Sequence, residues 1–241
     1  MSDLHEWENK KNKSYFKKQL EKPYESTIEV TKFLNNNIDL TNLNLLDVAT
    51  GSGANLFYLL NNTSLKSGTG VDFVPEYINY ANQYKNQNQV NNANFICEDF
   101  YDFSPDIKYQ IVTCLQTLSW INEYENFVKK IMDIGSRWIA FSSLFYDGLI
   151  ETNTLVNVLD TNSTTVETSQ YNTISIPKLE RIMKKKSYFL IGNEKFDIKK
   201  DLVQKNNNEM GTYTILSTSG RLQISGPLLM NWHFLLFEKQ I

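Results

Sequence analysis

The chain has 241 residues, of which 41% are hydrophobic and 13% aromatic, enough to bury a core without staples. A net charge of −3 and a pI near 5.5 leave no basic field for a nucleic-acid backbone, so no nucleic-acid partner is expected. Two cysteines, Cys97 and Cys114, and two histidines, His5 and His233, make neither a disulfide framework nor a metal set.

In chain order, the opening MSDLHEWENKKNK is polar and charged, which is not a secretory signal. No apolar run approaches the ~20 residues of a membrane span, so no membrane partner and a cytoplasmic location are expected. Residues 1–40 are predicted helical, with Trp7, Tyr15, Phe16 and Leu20 on one apolar face that Pro23 interrupts. A second helix is predicted over Ser26–Leu34, with Ser26 or Thr27 near its cap and Asn35–Asn37 ending it. Preceding the first strand, this segment is placed to cover the ligand edge of a sheet as a helical lid.

Leu43–Ala49 is the first predicted strand, and a glycine turn leads into a helix from Asn55 to Leu60. Ser67–Val74 is the second strand; Asp72 closes it, and Pro75 sits where the helix Glu76–Tyr84 begins. Asn94–Phe100 is the third, ending in Glu98 and Asp99; Tyr109–Leu115 is the fourth. A helix over Glu123–Ile134 precedes the fifth, Trp138–Leu144. Strands alternating with helices predict βαβ units, a parallel sheet wound on both faces, and ligands at the strands' C-terminal ends. Residues 149–175, rich in Thr, Asn and Ser, are either a pair of short strands or an extended loop on the substrate side. Ile176–Lys186 reads as a helix, and Lys186–Asp197 and Leu228–Lys239 as strands that put an antiparallel edge on the sheet. One domain over 1–241 is expected: lid 1–40, core 41–148, insertion 149–175, and a C-terminal helix with edge strands 176–241.

The chemistry centres on LLDVATGSGAN, Leu45–Asn55. Gly51 and Gly53 let the backbone turn sharply and bring main-chain N–H groups and a helix start toward a polar ligand. A dinucleotide turn would carry a third glycine, which Asn55 and Leu56 do not supply, so no pyrophosphate is expected. Asp47 ahead of the turn would repel phosphate and attract a cationic group. Asp72 can accept hydrogen bonds from both hydroxyls of a ribose, or cap the helix ahead of Pro75. Asp99 can accept from the exocyclic amine of adenine, or is a loop acid. Phe73 and Phe100 either sandwich a purine or pack in the core.

A ligand with a cationic end, a ribose and an adenine but no phosphate is S-adenosylmethionine. The chain resembles the class I methyltransferases in LLDVATGSGAN, GVDFVPEYINYAN, NFICEDF and YQIVTCLQTLSWI, over roughly residues 40–145. It departs at Ala49, where many members have glycine. The resemblance implies a Rossmann-like, doubly wound, mostly parallel seven-stranded sheet with an antiparallel last strand. It implies that Asp47, Thr50, Gly51 and Gly53 surround the methionine part, that Asp72 takes the ribose and Asp99 the adenine amine. It places Gln116 near the methionine or the sulfonium.

In such enzymes, in-line placement of acceptor and methyl supplies much of the rate. An alcohol acceptor also needs a base. His233 in MNWHFLL, Tyr146 and Asp147 after the fifth strand, and Glu123 after the fourth are the candidates, each with an ordinary structural role as the alternative. The C-terminal third, with GTYT and SGPLLM before a tryptophan, resembles small-molecule methyltransferases of bacterial surface-polysaccharide biosynthesis. That implies O-methylation of a sugar, a nucleotide-linked sugar or a phosphoramidate. Arg221, Lys178 and Lys184–Lys186 then either meet a phosphate or are solvated charges. The stretch LQTL after the fourth strand lacks the proline–aromatic tetrad that grips a flipped base. An N-methyltransferase of another metabolite and a non-catalytic partner subunit are the competing readings.

Overall fold

A computed structural model describes residues 18–204, 212–218, 220–226 and 228–240. The predicted apolar face of Trp7, Tyr15 and Phe16 lies outside these residues, as does Gly211 of GTYT.

The strands of the main sheet are β1 (Asn44–Val48), β2 (Ser67–Asp72), β3 (Ala93–Cys97), β4 (Ile111–Leu115) and β5 (Trp138–Ser143). A two-residue β6 (Phe145–Tyr146) follows, then β7 (Thr152–Leu159) and β8 (Thr165–Ser175). The chain ends in β9 (Tyr188–Phe196), β10 (Thr212–Ser217), β11 (Gly220–Ser225), β12 (Leu228–Leu229) and β13 (Trp232–Lys239). The helices that pack on them are α1 (Glu25–Asn37), α2 (Ala54–Asn62), α3 (Pro75–Gln87), α4 (Tyr124–Asp133) and α5 (Ile176–Lys184).

The main sheet has seven strands in the order β3-β2-β1-β4-β5-β13-β9. β1 to β5 run parallel, and β13 runs antiparallel to both β5 and β9. Leu45, Leu46 and Val48 are all fully buried, as a central strand covered on both faces requires. Their alternation divides the core. Leu46 and Val48 join Val128, Ile131, Leu179 and Ile182 of α4 and α5 on one face. Leu45 joins Phe33, Leu34, Leu56 and Leu59 of α1 and α2 on the other.

The last strand, β13, is antiparallel as expected, and with β9 it forms that end of the sheet, β13 lying inside and β9 outermost. Phe234, Leu235, Leu236 and Phe237 are all buried, and a strand apolar on both faces needs a neighbour on each side. β9, with Ile191, Asn193, Glu194 and Lys195 exposed, takes the edge instead. Of the two readings for residues 149–175 the pair of strands holds, though the strands are longer than expected: β7 and β8 form an antiparallel hairpin, and β8 also pairs with β6. β10, β11 and β12 make a second small sheet. It packs on the hairpin at Gly226, where an added Cβ would stand 2.2 Å from the Tyr171 ring. The φ of +57° there also favours glycine.

Helix α1 starts earlier than its sequence pattern predicts, with Tyr24 as the N-cap and no side-chain cap. The hydroxyls of Ser26 and Thr27 are engaged elsewhere. Ser26 Oγ accepts from Gln116 Nε2 at 2.8 Å, and Thr27 Oγ1 donates to Asn55 Oδ1 at 2.6 Å. These two bonds clasp α1 to the turn after β4 and to the start of α2. The third strand ends at Cys97, short of Glu98 and Asp99. Asp99 Oδ1 accepts from Tyr101 N at 2.9 Å, and its carbonyl accepts from Asp102 N, so the chain turns away there.

Candidate functional site

The parallel strands deliver their C-terminal ends to one edge of the sheet, and β13, running the other way, delivers its N-terminal end to the same edge. The glycine turn lies there. Gly53, at φ +77°, is the N-cap of α2, and a Cβ on it would meet the Phe95 ring at 2.4 Å. Ala49 is also left-handed, at φ +56°. The glycine common in the resembled motif is thus explained by backbone conformation rather than size; an alanine there costs about 1 kcal/mol. Thr50 N donates to Val71 O at 3.1 Å and ties the turn to β2.

Two acids are buried beside this turn. Asp47 accepts from Thr50 Oγ1 at 2.6 Å and from Thr113 Oγ1 at 2.7 Å. Burial pushes its carboxyl up to about 6; the two hydroxyls pull the other way, and the charge of Asp72 adds to the rise. Asp72 accepts from Gly51 N at 2.8 Å on Oδ2 and from Val74 N at 3.0 Å on Oδ1. Burial raises its carboxyl as well, against the pull of those N–H groups. It is not the N-cap of α3, which is Val74. A carboxylate offers about four lone-pair positions, so Asp72, which also takes the Phe73 N–H, can hold the turn and still accept from a further donor.

Asp47 makes a stability prediction. Its folded pKa, about 6, lies above the ordinary 3.8. Its contribution is therefore full below about 3.8 and is lost as pH rises through about 6. At pH 7 the ionised group opposes folding. Asp47→Asn is expected to raise the unfolding free energy at pH 7 by roughly 1–3 kcal/mol. It should also flatten the pH dependence between 4 and 6. Urea denaturation at pH 4 and pH 7 measures both; a loss at pH 7 would mean the threonine bonds outweigh burial.

Around these acids the expected residues separate. Phe73, half-buried, follows Asp72 at the strand end. Phe100 is packed against Phe103 and Phe127 at centroid distances of 6.2 and 5.2 Å, which is its core alternative rather than a purine face. Asp99 is exposed, with Oδ1 bonded to its own loop. Gln116 is left-handed at φ +59° and points its amide to Ser26 under α1. Thr113, Ser26 and Asn55 were not among the expected site residues. Thr113 had a signal: a hydroxyl in the otherwise apolar IVTCL, which the β1–β4 register sets opposite Asp47.

His233 is 6% exposed and pairs across the sheet with Ser143 at the end of β5. Its Nδ1 lies 3.4 Å from Asn193 Oδ1. Burial pushes the imidazole below 6.5, while Asp147 pulls it back up, so the ring is neutral at pH 7. Asp147 is exposed, and the Tyr146 ring, 41% exposed, lies over Gly148. Glu123 is the N-cap residue of α4 and accepts from Asn126 Nδ2 at 3.4 Å, a helix-start role. The expected phosphate cations are paired. Arg221 meets Asp201 at 2.8 Å, Lys178 bridges Glu125 and Glu151, Lys184 pairs with Glu180, and Lys186 with Asp133. Among the described residues no cluster of three or more His, Cys, Asp or Glu could hold a metal. No helix among them is long and apolar enough to cross a membrane.

A family model described as a methyltransferase domain matches residues 39–223. No curated protein sequence matches the chain. Among solved structures, a chain of the "complex between the Haloferax volcanii Trm112 methyltransferase activator and the putative methyltransferase" is similar, with a TM-score of 0.63 and 13% identity. That likeness covers 98% of this chain and 97% of the other. Magnesium protoporphyrin IX methyltransferase from Synechocystis PCC 6803, with bound S-adenosylhomocysteine, gives 0.59 at 12% identity, covering 89% and 82%. The 1,6-didemethyltoxoflavin-N1-methyltransferase of Burkholderia thailandensis gives 0.56 at 12%, covering 95% and 87%. At these identities the likeness is one of fold.

Proposed function

The chain belongs to the methyltransferase-domain family, and on that premise we propose that it transfers a methyl group from S-adenosylmethionine to an oxygen of a small-molecule acceptor. The observation that carries the donor is the pair of buried acids, Asp47 and Asp72, against the glycine turn. Two carboxylates there disfavour phosphate and suit a ligand with a cationic centre and ribose hydroxyls. Bound, that donor supplies a methyl activated on a sulfonium.

The protein's part is to hold and to take a proton. Asp72, fixed by Gly51 N and Val74 N, turns its remaining lone pair to the ribose. The N–H groups of the turn and the field of Asp47 hold the methionine part, with Thr50 and Thr113 keeping that carboxylate oriented. Asp99 Oδ2 takes the adenine amine, Phe73 covers the ring, and Gln116 stands at the methyl side. Helix α1 closes over Gln116 and Asn55 as the lid. His233, neutral at pH 7, accepts the acceptor's hydroxyl proton as the methyl is attacked. Tyr146 and Asp147 flank it as positioning groups.

The single domain, with its lid, core and β7–β8 insertion on the acceptor side, and the cytoplasmic location are parts of the same reading. So is an acceptor drawn from surface-polysaccharide precursors, supported by the C-terminal resemblance. Calorimetry with S-adenosylmethionine and S-adenosylhomocysteine tests the donor. Labelled-methyl transfer to nucleotide sugars and capsule precursors tests the acceptor. No binding of either nucleoside overturns the reading; binding without transfer to any small acceptor favours a non-catalytic partner subunit.

A further inference from the structure

We infer that β7 is a self-association edge: two copies of this chain pair their β7 strands antiparallel across a two-fold axis, joining their hairpins into one sheet. β7 is the outer strand of the sheet β6-β8-β7, so one of its two edges has no neighbouring strand among the described residues. Two hydrogen bonds fix which main-chain groups that leaves open. At the tip of the hairpin Asp160 N donates to Thr164 O at 2.9 Å; at its base Ile174 N turns the other way, to Leu144 O just before β6. Main-chain groups in a strand point to alternate sides from one residue to the next. Through the β7–β8 register both bonds give the same phase: Thr152, Thr154, Val156 and Val158 face β8, and Asn153, Leu155, Asn157 and Leu159 turn their N–H and C=O outward.

The sequence does not guard that edge. β7, TNTLVNVL, carries no charge, proline or glycine over its eight residues, the devices that keep a free strand from pairing. Other edge strands are guarded or short. β9 exposes Glu194 and Lys195. The outer side of β10 is engaged, because Thr214 N donates to Leu202 O and Leu202 N to Thr214 Oγ1. β3 has five residues and runs straight into Glu98 and Asp99. The residues of β7 whose main chain faces outward also carry its exposed side chains: Leu155 is 57% and Leu159 53% exposed. Leu149 and Ile150 ahead of the strand and Val166 on β8 are exposed too.

A second copy suits this edge by charge and by pattern. A strand without charges gives a charged peptide nothing to pair with, whereas an identical strand brings no like charges to oppose. Antiparallel pairing about Asn157 sets Leu155 of each copy opposite Leu159 of the other and Asn157 opposite Asn157, all on one face. Asp160 then stands opposite Thr154. The two-fold contact is isologous, so it closes at two copies and leaves no further β7 edge open. One strand pair with its flanking apolar groups is small beside the roughly 1,200–2,000 Å² of a stable interface, so the dimer is expected to form at micromolar concentrations.

Sedimentation equilibrium of the full chain, from about 1 to 300 μM, should show a mass that rises from one chain toward two. Leu155→Lys/Leu159→Lys and Leu155→Glu/Leu159→Glu change exposed positions. Each should keep the wild-type circular dichroism and Tm and weaken self-association at least about tenfold, since like charges then face each other. Mixed in equal amounts, the two variants should associate again, because opposite charges meet. Asn157→Pro removes an outward N–H that β8 does not use, so it should fold and be monomeric over the same range. A wild type that stays monomeric, leaving the edge to a foreign strand, overturns the inference. So does self-association that survives the like-charge variants, or a mixture of the two folded variants that stays monomeric. Should a charged variant fail to fold, Asn157→Pro decides alone, and association at wild-type strength in it overturns the assignment to β7.

Discussion

Asp72→Ala is expected to weaken S-adenosylmethionine binding by about 100-fold, since a hydrogen bond to an ionised acceptor is worth up to roughly 3 kcal/mol. Both oxygens of Asp72 already accept from the backbone, Oδ2 from Gly51 N and Oδ1 from Val74 N. The substitution therefore removes the ribose acceptor and also loosens the turn that frames it. Asp72→Asn separates the two effects. One amide oxygen can still hold Gly51 N, while the amide nitrogen no longer accepts from Val74 N and one ribose acceptor becomes a donor. Calorimetry should rank wild type above Asn above Ala; equal affinities for all three would sink the ribose assignment. Burial raises the pKa of Asp72, so it becomes protonated at a higher pH than an exposed acid. Binding should accordingly weaken on acidification earlier than for a solvated carboxylate.

His233→Ala is expected to lower kcat by about 100-fold with little change in donor affinity, the usual loss when a general base is removed. The pH profile distinguishes a base from a packed strand residue. The ring's pKa lies below 6.5, and a base works when unprotonated. The rate should thus rise with pH through that depressed value and be flat at neutrality, and the acidic limb should vanish in the variant. Asp147→Asn removes a charge that pulls the pKa up, so it should move the limb to lower pH without abolishing turnover. A near-normal kcat with the limb intact would return His233 to a role in packing β13 against β5.

Much of the cofactor half was legible because its information is local. The alternation of apolar runs with helical periods, the glycines after β1, and acids at the end of β2 and just past β3 are each set by neighbours a few residues apart. Phe100 shows the limit of local reading. Its place after an acid suited a purine contact, yet the side to which a ring turns depends on Phe103 and Phe127, which no short window contains. The Ser26 and Thr27 hydroxyls show the same limit: as cap candidates they read correctly by type, but α1 docks so that they bond to Gln116 and Asn55.

The residue pattern alone was sufficient for the α/β class, the order of the first five strands along the chain, and the glycine turn with its two acids. These follow from backbone conformation and hydrophobic period, which each segment carries within itself. Three matters were left to the folded molecule. One is the place of β13 inside the sheet, which burial of four consecutive apolar side chains demands and no turn signal announces. Another is the hydroxyl pair on Asp47, because Thr113 meets it only through the β1–β4 register. The last is the surroundings of His233, which β13 sets across from Ser143 of β5 and beside Asn193 of β9. Each joins residues far apart in the chain, so it exists only once the strands have taken their register.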